Sequence, residues 1–276
     1  MADFEDSSVG HTEDHIPTII GATIDTTIYK YGNGSGYFNS AITAHVSFPD
    51  SADWTLGTTH TISGWIHIES GKCQRFSYKI DSSNWWFVTV TATQIIFHNI
   101  FGGKFVIRGD YTALSDGWHH FEVGRSGSDK YVFIDGVAVT QSSVNFGAVS
   151  AQDTLLYVGR ATGIGYSFGN LDVFKIDKGI CRHTIDFTPP ANEDVDNDAY
   201  TVLLLKMNTI FTKINIGNSW KEGTPYINIA DTWKTALKVY ISLHGNATWE
   251  SVKNMTWNDL LAETWDYEKQ SWRTVI

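Results

Sequence analysis

Between residues 61 and 160 the chain alternates apolar and polar side chains in short runs, and a turn signal closes each run. Thr61-Ile62-Ser63-Gly64-Trp65-Ile66-His67-Ile68 is one such run. Residues 75–80, 86–90, 94–98 and 104–108 are others, separated by Asp81-Ser82-Ser83-Asn84 and Gly102-Gly103. A period of two places neighbouring side chains on opposite faces of a strand, so each run buries one face. Turns spaced about every 8–12 residues then call for two packed antiparallel sheets. The best-marked pair lies at 116–123 and 131–137, on either side of the polar turn Ser126-Gly127-Ser128-Asp129. A second turn at Asp135-Gly136 supplies the positive φ angles of a two-residue hairpin. Trp65, Trp118, Phe121, Val123 and Phe133 are the expected core of this region. No helical period appears before Asn254.

Composition agrees with an all-β chain. Hydrophobic residues make up 42%, aromatics 14%, and there are five prolines. The 276 residues suffice for one large β domain and a smaller one. Residues 208–276 hold seven Lys/Arg and seven Asp/Glu, so the whole net charge of −10 lies in residues 1–207. An acidic domain repels nucleic acid and anionic lipid at long range, which argues against a nucleic-acid partner. No apolar run is long enough for a membrane span, so no membrane insertion is expected. The polar, acidic start Met1-Ala2-Asp3-Phe4-Glu5-Asp6 does not read as a secretory signal. Cys73 and Cys181 read as reduced thiols, although the sequence leaves their pairing open.

Several motifs, in order, resemble the concanavalin A-like lectin/glucanase superfamily in its laminin-G-like form. They are Tyr31-Gly32-Asn33-Gly34-Ser35-Gly36-Tyr37-Phe38, Val46-Ser47-Phe48-Pro49-Asp50-Ser51-Ala52-Asp53-Trp54 and the Trp118-His119-His120 hairpin. Leu156-Tyr157-Val158-Gly159-Arg160, Gly169-Asn170-Leu171-Asp172-Val173-Phe174-Lys175-Ile176 and Phe187-Thr188-Pro189-Pro190 continue the order. The resemblance covers roughly residues 5–190. It implies an antiparallel jelly-roll sandwich that presents surfaces to sugars and proteins. The version with Lys178-Gly179-Ile180 before Phe187-Thr188-Pro189-Pro190 is similar to virion modules of tailed bacteriophages.

Modules of this kind usually open with an apolar strand that this chain lacks before Asp6-Ser7-Ser8. A matching segment, Val202-Leu203-Leu204-Leu205-Lys206-Met207-Asn208, occurs instead after the Pro-Pro loop. It is expected to fill the missing slot beside the strand containing 35–38 or that containing 171–176. The chain then divides into three regions: a sandwich over 1–207, a β-repeat assembly region over 208–253 and a C-terminal arm over 254–276. In the second, Ile214-Asn215-Ile216-Gly217-Asn218-Ser219-Trp220-Lys221 recurs thirteen residues later as Ile227-Asn228-Ile229-Ala230-Asp231-Thr232-Trp233-Lys234. A looser copy contains Trp249. Each unit reads as strand, turn, strand. Such short units need neighbours to cover Trp220, Trp233 and Trp249, which marks them as assembly residues. The units are similar to short repeats at the ends of phage structural proteins. The arm reads as a helical turn or an extended segment.

The residues offer little catalytic chemistry. The superfamily's hydrolases carry two glutamates and an intervening aspartate on one strand, one glutamate as nucleophile and one as acid/base. Here the nearest strand, 171–177, has no glutamate. Asp194, Asp196 and Asp198 at alternate positions offer clustered oxygens of the kind Ca2+ takes. The EF-hand register fails, because Ala199 stands where glycine is needed and Leu205 where glutamate is needed. A solvated acidic linker is the competing account. Asp135 and Asp172 are further oxygen donors, better explained as turn and core residues. His119 and His120 point to opposite faces and cannot share one metal. One is expected inside with a hydrogen-bond partner, the other outside. Of Trp85 and Trp86, alternation sends one away from the core. Either it forms an aromatic platform for a sugar ring or partner, or a loop or neighbouring subunit covers it.

The expected function is a non-enzymatic structural protein of a tailed-phage virion, assembled in the host cytoplasm. Its lectin-like domain would bind a host-surface glycan or decorate the particle. Its C-terminal region would join other virion proteins or copies of itself in a homo-oligomer. The competing classes are a divergent glycoside hydrolase or polysaccharide lyase, and a secreted cellular lectin.

Overall fold

A computed structural model describes residues 4–12, 15–69, 71–80, 84–100, 105–142, 153–193 and 196–208, with six short strands beyond them. The chain divides into two compact units, Met1–Thr209 and Ile210–Ile276. In the first unit the strands are, in order, Thr18–Ile20 (β1), Thr23–Asp25 (β2), Ser35–Phe38 (β3), His45–Phe48 (β4), Thr59–Ile68 (β5) and Cys73–Lys79 (β6). Trp85–Thr91 (β7), Gln94–Asn99 (β8), Phe105–Asp110 (β9), Gly117–Ser126 (β10), Asp129–Ile134 (β11) and Val137–Ala138 (β12) come next. Gln141–Ser142 (β13), Asp153–Val158 (β14), Arg160–Ala161 (β15), Gly165–Tyr166 (β16), Gly169–Lys178 (β17) and Thr201–Leu205 (β18) complete the unit.

Two antiparallel sheets pack face to face, as expected of a concanavalin A-like jelly roll. One runs β1-β4-β14-β6-β7-β8-β9-β13. The other runs β12-β11-β10-β5-β17-β3-β2, with β18 also paired to β17. Their facing residues build one core. In β5, Ile62, Ile66 and Ile68 point inward, with Phe121 and Val123 beside them from β10. Phe76 of the opposite sheet stacks on Phe121 and Phe174, with ring centroids 5.7 Å and 4.3 Å apart. Close approach at this point requires Gly64, since a Cβ there would lie 3.1 Å from the Phe121 ring.

The hairpins form as the turns predicted. Ser126 pairs with Asp129 across Gly127-Ser128, and Ile134 pairs with Val137 across Asp135-Gly136. Asp135 and Gly136 both have positive φ, 50° and 76°. The core expectation needs one correction. Phe121 and Val123 are inside, but Trp118 is half-buried on the other face of β10. The period of two forces this, because Trp118 and Phe121 have opposite parity. Trp65 lies on the outer face with Trp118, in a small cluster with Val173 and Leu204. Phe133 is also buried, edge-on to Phe187.

The displaced strand occupies its expected slot. β18 pairs with β17 from Phe174↔Leu205 to Asp177↔Thr201. Asp6 then bridges Leu205, so the N-terminal segment lies on the far side of β18. A continuous apolar run fits here because Leu203 and Leu205 enter the main core while Leu204 packs outside with Trp65. β17 carries a bulge that the sequence did not announce. Its register against β5 shifts between Asp172 and Lys175, and Val173 has a φ of 47°. The extra residue leaves Asp172 and Val173 both outside while Leu171 and Phe174 remain inside.

In the second unit Ile214–Ile216 (β19) pairs with Ser219–Lys221 (β20), and Tyr226–Ile229 (β21) with Thr232–Thr235 (β22). In two repeats the two strands therefore pair, with Asn215↔Trp220 and Asn228↔Trp233 in equivalent register. The copy containing Trp249 lies outside the described residues. In the described part of the C-terminal arm, Glu263–Asp266 (β23) pairs with Ser271–Thr274 (β24); residues 254–262 lie outside the described residues. Trp265 stands opposite Trp272. The alternation Thr264-Trp265-Asp266 and Ser271-Trp272-Arg273 carries that hairpin.

Candidate functional site

The outer face of the β5 sheet gathers the polar and aromatic groups that the core excludes. Parity along β5 puts Thr61, Ser63, Trp65 and His67 there, and β10 adds Trp118, His120 and Glu122. His67 and Trp118 are register partners, and their rings meet edge-on at 5.3 Å. His67 Nδ1 lies 3.4 Å from Glu69 Oε1, and Lys72 Nζ lies 2.8 Å from Glu69 Oε2. Lys72 lies against Gly169, where an added Cβ would fall 2.8 Å from the lysine Cδ. Burial lowers the pKa of His67, against the opposing field of Glu69, Asp116 and Asp25. The Lys72 hydrogen bond holds the Glu69 carboxyl below its ordinary value. A partly buried indole, an imidazole, an ammonium and the Glu69 carboxylate thus share one face.

A loop beside this face is fixed from below. The Asp172 carboxylate accepts the backbone N–H groups of Lys30, Tyr31 and Val173 at 2.9, 3.0 and 2.8 Å. Burial nevertheless pushes its pKa up to about 7. Lys30 Nζ sits 3.9 Å over the Trp65 ring, and the Tyr31 hydroxyl donates to the Pro190 carbonyl. Asp172 is therefore a loop anchor, as the core reading of that strand required.

Further along the same face lies a buried charge network that sequence reading missed. Arg182 donates to both oxygens of Asp198, at 2.7 and 2.8 Å, and to Asp177 at 2.9 Å. Thr201 Oγ1 donates to Asp177 at 2.7 Å. This accounts for the Lys178-Gly179-Ile180-Cys181-Arg182 segment: the arginine ties the returning chain to β17 and β18. The available signal was the acidic run itself, which needs a counter-ion once its backbone is ordered.

Two residues of the acidic run make other contacts. Asp198 is held by Arg182, and the Asp196 carbonyl oxygen lies 3.2 Å from Arg182 Nη2 and 2.8 Å from Thr201 Oγ1. Asp194 lies outside the described residues. Among the described residues, no three His, Cys, Asp or Glu side chains converge as a metal site requires.

Trp85 and Trp86 do point to opposite faces, but neither offers a platform. Trp86 is 0% exposed in the core, and its indole donates to the Trp54 carbonyl. Trp85 is 4% exposed, stacked on Phe87 and tilted 4.1 Å from the His98 ring. Ala161 of the β15–β16 hairpin packs into the same outer cluster. A hairpin folded over a sheet is invisible to strand periodicity, and here it covers Trp85, the second of the two alternatives. His119 and His120 diverge as anticipated, with one difference. His119, the more exposed, has the partner: its Nδ1 lies 2.6 Å from Asp135 Oδ2. His120 is buried, and burial drives its pKa down to about 3.

Two clusters imitate catalytic sets. Cys181, His183 and Glu122 approach one another, but burial raises the thiol to about 11, the reverse of activation. The His183 ring faces both Glu122 oxygens at 3.0 Å, and the thiol donates to the His183 carbonyl. Ser8, His11 and Asp6 also meet. Ser8 Oγ approaches His11 Nδ1 at 3.1 Å and bonds Asp6 at 3.0 Å, and Asp6 lies 4.0 Å from that same ring nitrogen. A relay needs the hydroxyl and carboxylate on opposite nitrogens of the ring. Glu122 has a raised pKa through burial, as a general acid would, but it is covered and bonded to His183.

A family model described as the concanavalin A-like lectin/glucanases superfamily matches residues 39–178. No curated protein matches. Among solved structures, the chain resembles the botulinum neurotoxin serotype G binding domain at 12% identity and TM-score 0.48, covering 66% of this chain and 47% of that one. It therefore spans about half the length of that domain. Domain 4 of AbnA, a GH43 extracellular arabinanase from Geobacillus stearothermophilus in complex with arabinotriose, aligns at 18% identity and TM-score 0.46, covering 65% and 88% of the two chains. The enzymatically active domain of bacteriophage CBA120 tailspike protein 2 aligns at 10% identity and TM-score 0.48, covering 72% and 34%.

Proposed function

This chain belongs to the concanavalin A-like lectin/glucanases superfamily, and from that premise we propose that its sandwich is a non-catalytic module that binds a glycan on the His67–Trp118 face. One observation carries the reading. The partly buried Trp118 indole is braced edge-on by His67 and lies on a face that also holds Glu69 and Lys72. A sugar ring needs an apolar surface for its C–H face and fixed donors and acceptors for its hydroxyls. Both are present without rearrangement. The absence of catalysis is supported by the acids themselves. Glu69 is held ionised by Lys72, which makes it a poor proton donor, and Glu122 is buried beneath His183.

The finer reading is a structural protein of a tailed-phage virion, with the sandwich serving host-surface adhesion or particle decoration. Its support is the order of the motifs from 31–38 to 187–190 and the repeated Trp hairpins, which suit contact with other virion proteins or other copies of this chain.

Binding to an array of host-surface polysaccharides tests the first statement. The wild-type chain should bind a subset of glycans, and Trp118→Ala should weaken that binding about tenfold, the loss of about 1.4 kcal/mol of contact. Unchanged binding by Trp118→Ala would move the site elsewhere. Release of reducing ends from any bound polysaccharide would replace the module with an enzyme.

A further inference from the structure

We propose that the glycan bound on the His67–Trp118 face carries a free, protonated amine, and that Asp116 is the residue that selects it. The inference rests on the glycan-binding reading above and names the class of sugar. Three carboxylates act on the His67 ring, those of Glu69, Asp116 and Asp25, against the one ammonium of Lys72. Two of the three are already engaged. Glu69 holds Lys72 at 2.8 Å. Asp25 accepts from Thr27, Ile28 and Asn170. Asp116 is exposed, and among the described residues its carboxylate has neither a hydrogen-bond nor an ion-pair partner.

Asp116 lies two residues before Trp118, and Glu69 two residues beyond His67, the register partner of Trp118. Both acids therefore stand at the same end of the β5–β10 pair, next to the indole. A sugar ring laid on Trp118 meets the indole with its C–H face, and an amine at its rim meets a carboxylate. The chain already sets its own ammonium groups in both surroundings. Lys30 Nζ lies 3.9 Å over the Trp65 ring, and Trp118 packs against the cluster that holds that ring. Lys72 Nζ takes the Glu69 carboxylate. Trp118 with Asp116 offers the same two surfaces, and among the described residues no lysine or arginine lies over the Trp118 ring. A neutral N-acetyl group at this position would cover the Asp116 carboxylate without compensating its charge. The field of the whole sandwich favours the same class, since residues 1–207 hold all of the net charge of −10.

The probes are a glucosamine tetrasaccharide, its fully N-acetylated form and tetralysine, titrated by calorimetry in mildly acidic buffer. The glucosamine probe should bind at least about tenfold more tightly than either of the others, and added salt should narrow the gap. Asp116→Asn should bring the affinities of the two sugars together, and Trp118→Ala should weaken both. Lys72→Met keeps the apolar stem and frees Glu69, so it should widen the preference for the amine. A structural role for Asp116 and Lys72 would not give these opposite signs. Asp116→Ala repeats the measurement without a side-chain oxygen, and unchanged thermal midpoints confirm that the variants fold. Equal binding of the two sugars, or a preference that survives both Asp116 variants, overturns the proposal and leaves the glycan reading standing. Tetralysine bound as tightly as the glucosamine probe also overturns it, in favour of a protein partner. Failure of both sugars while another glycan binds through Trp118 removes the amine selection alone, and failure of every glycan removes both readings.

Discussion

The Phe76 ring lies 4.3 Å from the Phe174 ring with 19° between their planes. Each residue belongs to a different sheet, so this stacked pair links the two halves of the sandwich at its centre. We predict that Phe76→Ala costs about 3–5 kcal/mol, as removal of a fully buried aromatic does. Trp118→Ala, on the outer face, should cost only about 1–2 kcal/mol. Urea denaturation of both variants checks the contrast, and equal losses would mean that Trp118 is a core residue after all.

Gly136 should tolerate no side chain. Its φ is 76°, and a Cβ there would fall 1.9 Å from the Phe187 carbonyl oxygen. The same segment is held by the Phe187 N–H donating to the Gly136 carbonyl. We predict that Gly136→Ala destabilises by at least about 2 kcal/mol. A thermal midpoint within one degree or so of wild type would show that the 187–190 loop does not pack on this turn.

Acid should weaken the fold in two stages. Burial lowers His60 and His120 to about 3 from the ordinary 6.5. Their unfolded forms therefore bind protons first, so the stability they contribute is complete above pH 6.5 and declines as pH falls towards 3. Each contributes up to about 1.4 kcal/mol per pH unit in that window. The bond from Arg182 holds Asp198 near about 2 against an ordinary 3.8, so its contribution is present above 3.8 and lost as pH falls through about 2. Denaturation midpoints between pH 7 and pH 3 measure the sum. His60→Asn should flatten the first stage, and a pH-independent midpoint from 6.5 to 4 would mean that these rings are not buried neutral.

Assembly should depend on the C-terminal hairpins. We predict that the full chain is oligomeric at micromolar concentration, and that a chain ending at Asn208 folds but remains monomeric. Light scattering on both distinguishes this from a self-sufficient tail, in which case the full chain would also be monomeric.

The sandwich was legible because a strand reports its faces by parity. Ile62, Ile66 and Ile68 encode the inner surface of β5 and Asp135-Gly136 encodes its own turn, whereas the expectation that Trp65 and Trp118 join Phe121 in the core followed their hydrophobicity against their parity. The resemblance to the family's opening strand placed Val202-Leu203-Leu204-Leu205, and recurrence at thirteen residues marked the first two Trp repeats as paired strands. Contacts between segments distant in the chain were not legible. Nothing near Trp85 announces that the hairpin carrying Ala161 folds over it. Nothing near Asp198 announces that Arg182 will bind it. The bulge at Val173 shifts parity without a marker residue, because its positive φ is imposed by ladders on both sides of β17. Sequence by itself determined which side chains could share a face, since that depends only on chain geometry. Tertiary structure alone decided which faces remain open, since that depends on where loops distant in sequence come to rest.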